Sequence, residues 1–266
     1  MSASGAHFAD LRLRLISAVI MAVLGLGALW LGGAVFLALL SVVAAVMLWE
    51  LARMLQPDLP QSKAVLMALV GGAAVLRVGY DSHVLSLSAL FLAPVIGLVA
   101  LSANRALFAV FGFAVLFAVA GLFWIRTGAG REWTLWLVAV VIAADIGGYL
   151  FGRWIGGARI LPRISPKKTW SGTLGGWFLA ALVGVGFGYY SGLGAGIVLL
   201  SVVTAMASQC GDVAESAIKR HSGVKDSSTL IPGHGGFLDR FDALIGAALF
   251  AMLYALFFGF PFIEVI

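Results

Sequence analysis

The sequence predicts an all-α protein that crosses a membrane about nine times, with its N-terminus in the cytoplasm. Three observations predict it. First, 62% of the 266 residues are hydrophobic and 11% are charged, where a soluble domain carries about 25% charged residues. So few polar residues cannot cover a core of this size, and lipid must solvate most of the surface. Second, apolar runs of about 20 residues, the length that spans a bilayer as a helix, recur along the whole chain. Third, the basic residues are skewed to one side of the layout those runs imply.

The runs lie near 15–32, 34–54, 64–80, 84–102, 106–125, 133–151, 173–190, 193–212 and 243–262. The first follows the stretch LRLR and could pass for a secretion signal. A second spanning run follows at once, so it is expected to be retained as a helix. With the N-terminus inside and nine alternating helices, only Arg77, Arg126 and Arg131 of the 17 Lys and Arg fall outside the cytoplasmic side. That asymmetry is the positive-inside pattern. It also accounts for the net charge of +5 without a nucleic-acid partner. The many glycines suit close packing of membrane helices. The single cysteine, Cys210, has no partner for a disulfide within the chain and reads as a small buried residue.

The chain is expected to form one integral-membrane domain, 1–266, with two polar segments on the cytoplasmic side, 152–172 and 213–242. Chemistry is expected there and at one further residue. Asp145 stands inside the apolar run VIAADIGGYLFG. A carboxylate at that depth costs about 2.5–3.5 kcal/mol on insertion scales, so it should face a wet cavity or a cation. In the first segment, Pro162 and Pro166 disfavour helix, and Lys167 and Lys168 precede hydroxyls at Thr169, Ser171 and Thr173. Ser171 or Thr173 is expected to cap the next helix. A helix N-terminus beside lysines suits a phosphate.

The second segment begins as a helix. Asp212, Glu215 and Lys219 share one face, with Ser216 nearby. The stretch KDSSTLIPGHGG is small and flexible enough for backbone N–H groups to approach an anion. FLDRFD then places Asp239 and Asp242 three residues apart. Phosphate needs cationic donors, and a hard divalent ion such as Mg²⁺ needs oxygen ligands and commonly bridges to phosphate oxygens. Both donor sets together point to nucleotide or phospholipid phosphate chemistry. No phosphate-loop, HExxH, CxxC or GxSxG pattern is present, which leaves zinc, haem and acyl-serine chemistry unsupported.

These residues carry a resemblance. SAIKRHSGVKDSSTLIPGHGGFLDRFD, from Ser216 to Asp242, resembles the signature of the phosphatidate cytidylyltransferases, or CDP-diacylglycerol synthases, at every fixed position. DIGGYLFGR and SPKKTWSG look like that family's other polar segments. One departure is Ser171, where the family usually has an acid, and no role is carried over to it. The resemblance implies that CTP and phosphatidic acid give CDP-diacylglycerol and pyrophosphate at the cytoplasmic face of the inner membrane. It implies Asp212 and Asp239 as central metal ligands with Asp145 beside them, and Asp212, Asp239, Lys219 and Asp242 as the reacting set. It implies that Lys167, Lys168, Ser216, Arg220, Lys225, Asp226, His234 and Arg240 meet substrate, while Gly235 and Gly236 let the backbone come close. Mg²⁺ is the expected cofactor. A second cation such as K⁺, contacts with membrane lipids and a homodimer are all compatible with it.

There are two rival readings, another phospholipid transferase and, from a different class, a transporter. A CDP-alcohol phosphotransferase would carry a D-G-x2-A-R-type motif within one helix, which is absent here. A transporter of an anionic lipid or nucleotide would suit Asp145 and the glycine-rich helices, but does not require so specific an array.

Overall fold

The computed structural model describes the backbone of residues 3–81 and 84–259 and the side chains of 13–81 and 86–259. Among the described residues it is helical apart from one short hairpin and the connecting loops. Eight helices among the described residues are long and apolar enough to cross a membrane, and each overlaps an expected run. Positions 260–262 of the ninth expected run lie outside the described residues.

The described chain forms two compact units, Met1–Thr127 with Ser222–Phe241, and Gly128–His221 with Asp242–Ile266. In the first unit, α1 (Ala3–Leu31) ends at Gly32, whose φ of 66° is left-handed, and α2 (Gly33–Leu55) follows at once. One face of α2 is buried through Leu37, Leu40, Ala44, Met47, Leu48 and Leu51. Their three- and four-residue spacing forms the stripe that a helix buries against its neighbours. That face packs on α3 (Gln61–Tyr80) and α6 (Arg105–Trp124). Arg126, in the π-turn after α6, donates from Nε to Leu29 O at 2.8 Å. It thereby satisfies a carbonyl in the last turn of α1 that has no helical partner.

The fourth expected run differs. It is a single turn, α4 (Val84–Leu87), then a 3₁₀ turn (Ser88–Phe91), then the nine-residue α5 (Leu92–Ala100). Pro94 supplies the physical reason. With no N–H and a locked φ, it is tolerated in the first turn of a helix and breaks a helical interior, so α5 starts just before it. The run is therefore helical but interrupted, and its apolar helix Ser88–Ala100 is shorter than the other eight.

The second unit holds α7 (Arg131–Trp154), the strands β1 (Arg159–Leu161) and β2 (Ser165–Thr169), α8 (Trp170–Ser191), α9 (Gly196–His221) and most of α10 (Leu238–Phe258). β1 and β2 pair antiparallel, Arg159 opposite Thr169 and Leu161 opposite Ser165. The prolines thus exclude helix here, as expected, and the segment closes as a hairpin. Because β2 runs to Thr169, α8 starts earlier than anticipated. Its cap is Thr169, whose Oγ1 accepts from Gly172 N at 3.2 Å, and not Ser171 or Thr173. Ser171 instead donates from Oγ to Gly156 O at 2.5 Å. Cys210 is exposed, not buried: it lies on an outward face of α9, and in a membrane helix such a face can be apolar.

α7 and α8 pack through small residues. A Cβ on Gly147 would come within 2.5 Å of Gly175 O and 2.9 Å of Gly176 Cα. Backbone cannot swing aside, so the helices would have to part. Gly147→Ala is therefore expected to destabilise the protein by about 1–3 kcal/mol, read as a lower unfolding temperature in detergent. Gly186→Ala, which meets nothing within 4 Å, should leave that temperature nearly unchanged.

Candidate functional site

The polar residues gather as two groups, one in each unit. In the second unit the group is built on α7, β2, α9 and α10. The hairpin ends by presenting Lys168, whose Nζ lies 2.6 Å from Asp212 Oδ2 and 3.5 Å from Gln209 O. Gln209 is held in turn by Trp177, whose Nε1 donates to its Oε1 at 2.9 Å. Asp212 Oδ1 accepts from Ser216 Oγ, one turn along α9, at 3.3 Å. Asp145 of α7 and Asp242 of α10 lie close enough to Asp212 for the three carboxylates to feel one another's charge. Lys168 and Lys219 are the cations that face them. Asp242 Oδ1 also accepts from Ala243 N at 2.7 Å.

Lys219, on α9 like Asp212, is placed differently. It forms an ion pair with Glu215, one turn back on α9, and the Glu215 side chain is fully buried. The shared face of Asp212, Glu215 and Lys219 is thus present, with the partners divided: Asp212 is neutralised from β2 and Glu215 from its own helix.

In the first unit the group is built on the loop from Ser222 to Phe237, the first turn of α10, and α2. Asp239 Oδ2 accepts three hydrogen bonds, from Ser227 N at 2.8 Å, Ser227 Oγ at 2.9 Å and Gly236 N at 2.8 Å. The loop closes on itself through Ile231 N, which donates to Gly235 O at 2.7 Å. Gly235 has a φ of +81°, and a Cβ there would lie 2.7 Å from Asp239 Oδ2. A Cβ on Gly236 would collide with Ser227 Oγ and Glu50 Oε1. Both glycines were expected to open the backbone to a ligand. Their contacts show a nearer duty, which is room for two carboxylates inside the loop.

Glu50 is the residue that sequence reasoning missed. It lies five residues before the end of α2 and is 0% exposed. Its Oε1 accepts from Ser228 Oγ at 2.6 Å and Phe237 N at 2.9 Å. Its Oε2 accepts from Leu238 N at 2.7 Å and Ser227 Oγ at 3.4 Å. The signal was available: an acid inside an apolar run, the criterion that singled out Asp145, applies equally to Glu50. Beside these residues Trp49, Arg53, Met54 and the stretch Ser227–Leu230 help to line a cavity of about 340 Å³.

The remaining expected residues are more open. Lys167, Arg220, Lys225, Asp226 and Arg240 are exposed. Arg220 Nε donates to Ile164 O at 3.4 Å, and Arg240 Nε to His234 O at 2.9 Å. His234 Nδ1 lies 2.7 Å from Ser17 Oγ, which ties the loop to α1. Among the described residues, no three His, Cys, Asp or Glu converge to hold a metal ion by themselves. The donors of the second unit are nevertheless all hard oxygens. That chemistry fits Mg²⁺, which is usually held by one or two carboxylates and completed by water and phosphate oxygens.

Comparison with known proteins bears on both groups. The Cytidylyltransferase family matches residues 12–258. A phosphatidate cytidylyltransferase of Staphylococcus aureus strain COL is 32% identical over 248 residues, covering 88% of this chain and 95% of that protein. Those of Brucella suis biovar 1 and Haemophilus influenzae are each 45% identical, over 131 and 123 residues. These two matches cover 48% and 44% of this chain, so here the chain spans about half the length of its relatives, 48% and 43%. The family match takes in nearly the whole chain and every residue of both polar groups, and the chain belongs to the Cytidylyltransferase family.

Proposed function

We propose that the chain is a phosphatidate cytidylyltransferase, which joins CTP and phosphatidate into CDP-diacylglycerol with release of pyrophosphate. The observation that carries this reading is the Lys168–Asp212 pair beside Asp145 and Asp242, charged groups collected from the hairpin and from otherwise apolar helices. The name of the Staphylococcus relative, matched over most of both chains, supports the same substrates.

In this reading a phosphatidate phosphate oxygen attacks the α-phosphorus of CTP. The new P–O bond forms as the bond to the bridging oxygen breaks, and pyrophosphate departs with that electron pair. The attacking oxygen is already anionic, so no strong base is needed. Positioning and charge neutralisation supply the acceleration. Lys168 and Lys219 are the cations proposed to meet phosphate, with Lys167, Arg220, Lys225 and Arg240 adding positive charge. Asp212 and Asp145 are proposed to hold Mg²⁺, and Asp239 is proposed as an oxygen donor to metal. When bound, the ion supplies charge neutralisation at the phosphates, and a second cation such as K⁺ is compatible with the same donors. We place the reaction at the cytoplasmic face of the inner membrane, where a soluble nucleotide can meet a lipid.

The test is direct. Purified full-length protein in detergent, given labelled CTP, phosphatidate and Mg²⁺, is expected to yield labelled CDP-lipid in proportion to enzyme and time. Absence of product under these conditions would overturn the reading and favour transport of an anionic lipid or nucleotide. Omission of Mg²⁺ with a chelator present should remove the product.

A further inference from the structure

We propose that Glu50 is a positioning residue for the reaction, holding the Ser227–Asp239 loop in its working form from the distant helix α2. The proposal rests on the transferase reading for its functional meaning, and on geometry for the role itself. An acid in an apolar membrane helix is expensive unless its surroundings satisfy it. Glu50 is fully buried, and both its oxygens are satisfied by one segment of chain, 177–188 positions later in the sequence.

Two of its four donors are backbone N–H groups, of Phe237 and Leu238. These belong to the start of α10, where the first N–H groups lack helical partners. Glu50 thus acts as a cap supplied from another helix. Ser227 links it to the site: its hydroxyl approaches Glu50 Oε2 at 3.4 Å and Asp239 Oδ2 at 2.9 Å, and its N–H donates to Asp239 Oδ2. Gly236 completes the arrangement, since its N–H donates to Asp239 and the space a side chain would need is occupied by Glu50 and Ser227. The two carboxylates therefore share one set of loop groups. Glu50 touches none of the exposed basic side chains proposed to meet phosphate, so its effect must pass through the loop.

Glu50→Gln keeps the size of the side chain but turns one accepting oxygen into an NH₂ donor. Either Oε1 or Oε2 faces a backbone N–H, so one such donor loses its acceptor whichever way the amide is turned. The full-length variant and wild type are to be compared in lipid nanodiscs by hydrogen exchange and by turnover. Exchange in peptides covering 226–239 is expected to rise about tenfold or more, with amides of α3 and α6 unchanged. Turnover is expected to fall about ten- to a hundredfold, the scale of a small misplacement at a site. Ser228→Ala, which removes one donor without altering Glu50, should show the same local loosening at smaller amplitude, and it provides the reading if Glu50→Gln fails to fold.

Unchanged protection of 226–239 in both variants would overturn the proposal, whatever the turnover. So would loss of protection spread evenly over α2, α3 and α6, the pattern of a residue that only fills the core. Localised loosening in a protein whose wild type makes no CDP-lipid would uphold the positioning role and remove the transferase reading instead.

Discussion

Asp239→Ala is expected to abolish CDP-lipid formation, with turnover at least about a thousandfold down, or about 4 kcal/mol in the barrier, while the protein stays folded in the membrane. One oxygen of Asp239 holds three donors of its loop. Their loss leaves Ser227 N and Gly236 N without an acceptor and costs about 1–3 kcal/mol for each buried group left unsatisfied. That cost falls on the loop and on the first turn of α10, not on the helix packing of the first unit, so detergent-purified variant should keep its elution volume. The proposed role as a metal donor adds the rest of the loss. Asp239→Asn separates the parts. It keeps an oxygen that can accept from the loop but discards the charge. If Asn restores loop protection without restoring turnover, the charge is required for the chemistry. Wild-type turnover in either variant would remove Asp239 from the site.

Asp212→Ala carries the second large effect. It deprives Lys168 of its ion-pair partner at 2.6 Å and Ser216 of its acceptor, and it withdraws the carboxylate that both Asp145 and Asp242 sense. Turnover is expected to fall at least about a thousandfold. Lys168→Met probes the same pair from the other side, and its signature should differ. Three carboxylates would then face one another with one competing cation fewer, so the variant should require less Mg²⁺ for half-maximal rate, yet lose about a hundredfold in turnover, a typical scale for one missing electrostatic donor. A Lys168→Met enzyme with unaltered Mg²⁺ dependence and rate would show that the pair serves only to dock the hairpin on α9.

The helices were legible because bilayer thickness imposes a length, and eight apolar runs of that length are eight helices. The break within the run at 84–102 was not legible, because hydropathy averages over a window while Pro94 acts at one position. At the polar groups, residue types were legible and partners were not. Asp212, Glu215 and Lys219 share a helical face, but a shared face does not fix which charges pair. The actual partner of Asp212 is Lys168, brought by a hairpin whose register depends on pairing across residues 159–169. Glu50 escaped for a related reason. An acid inside an apolar run was visible, but its partners lie 177–188 positions later in the chain, and nothing local in the α2 sequence says which loop they belong to.

The broken segment at Ser88–Ala100 carries a consequence for the surrounding lipid. Its outward face is apolar, with Phe91, Leu92, Val95 and Val99 all more than half exposed. With the turn Val84–Leu87 before it, the helical stretch to Ala100 reaches roughly 26–28 Å at about 1.5–2 Å per residue, against a hydrocarbon thickness of about 30 Å. Acyl chains beside it must compress or tilt, at a cost of fractions of a kcal/mol per Å of mismatch. The protein is thereby sensitive to membrane thickness along one flank, and thinner bilayers should stabilise it.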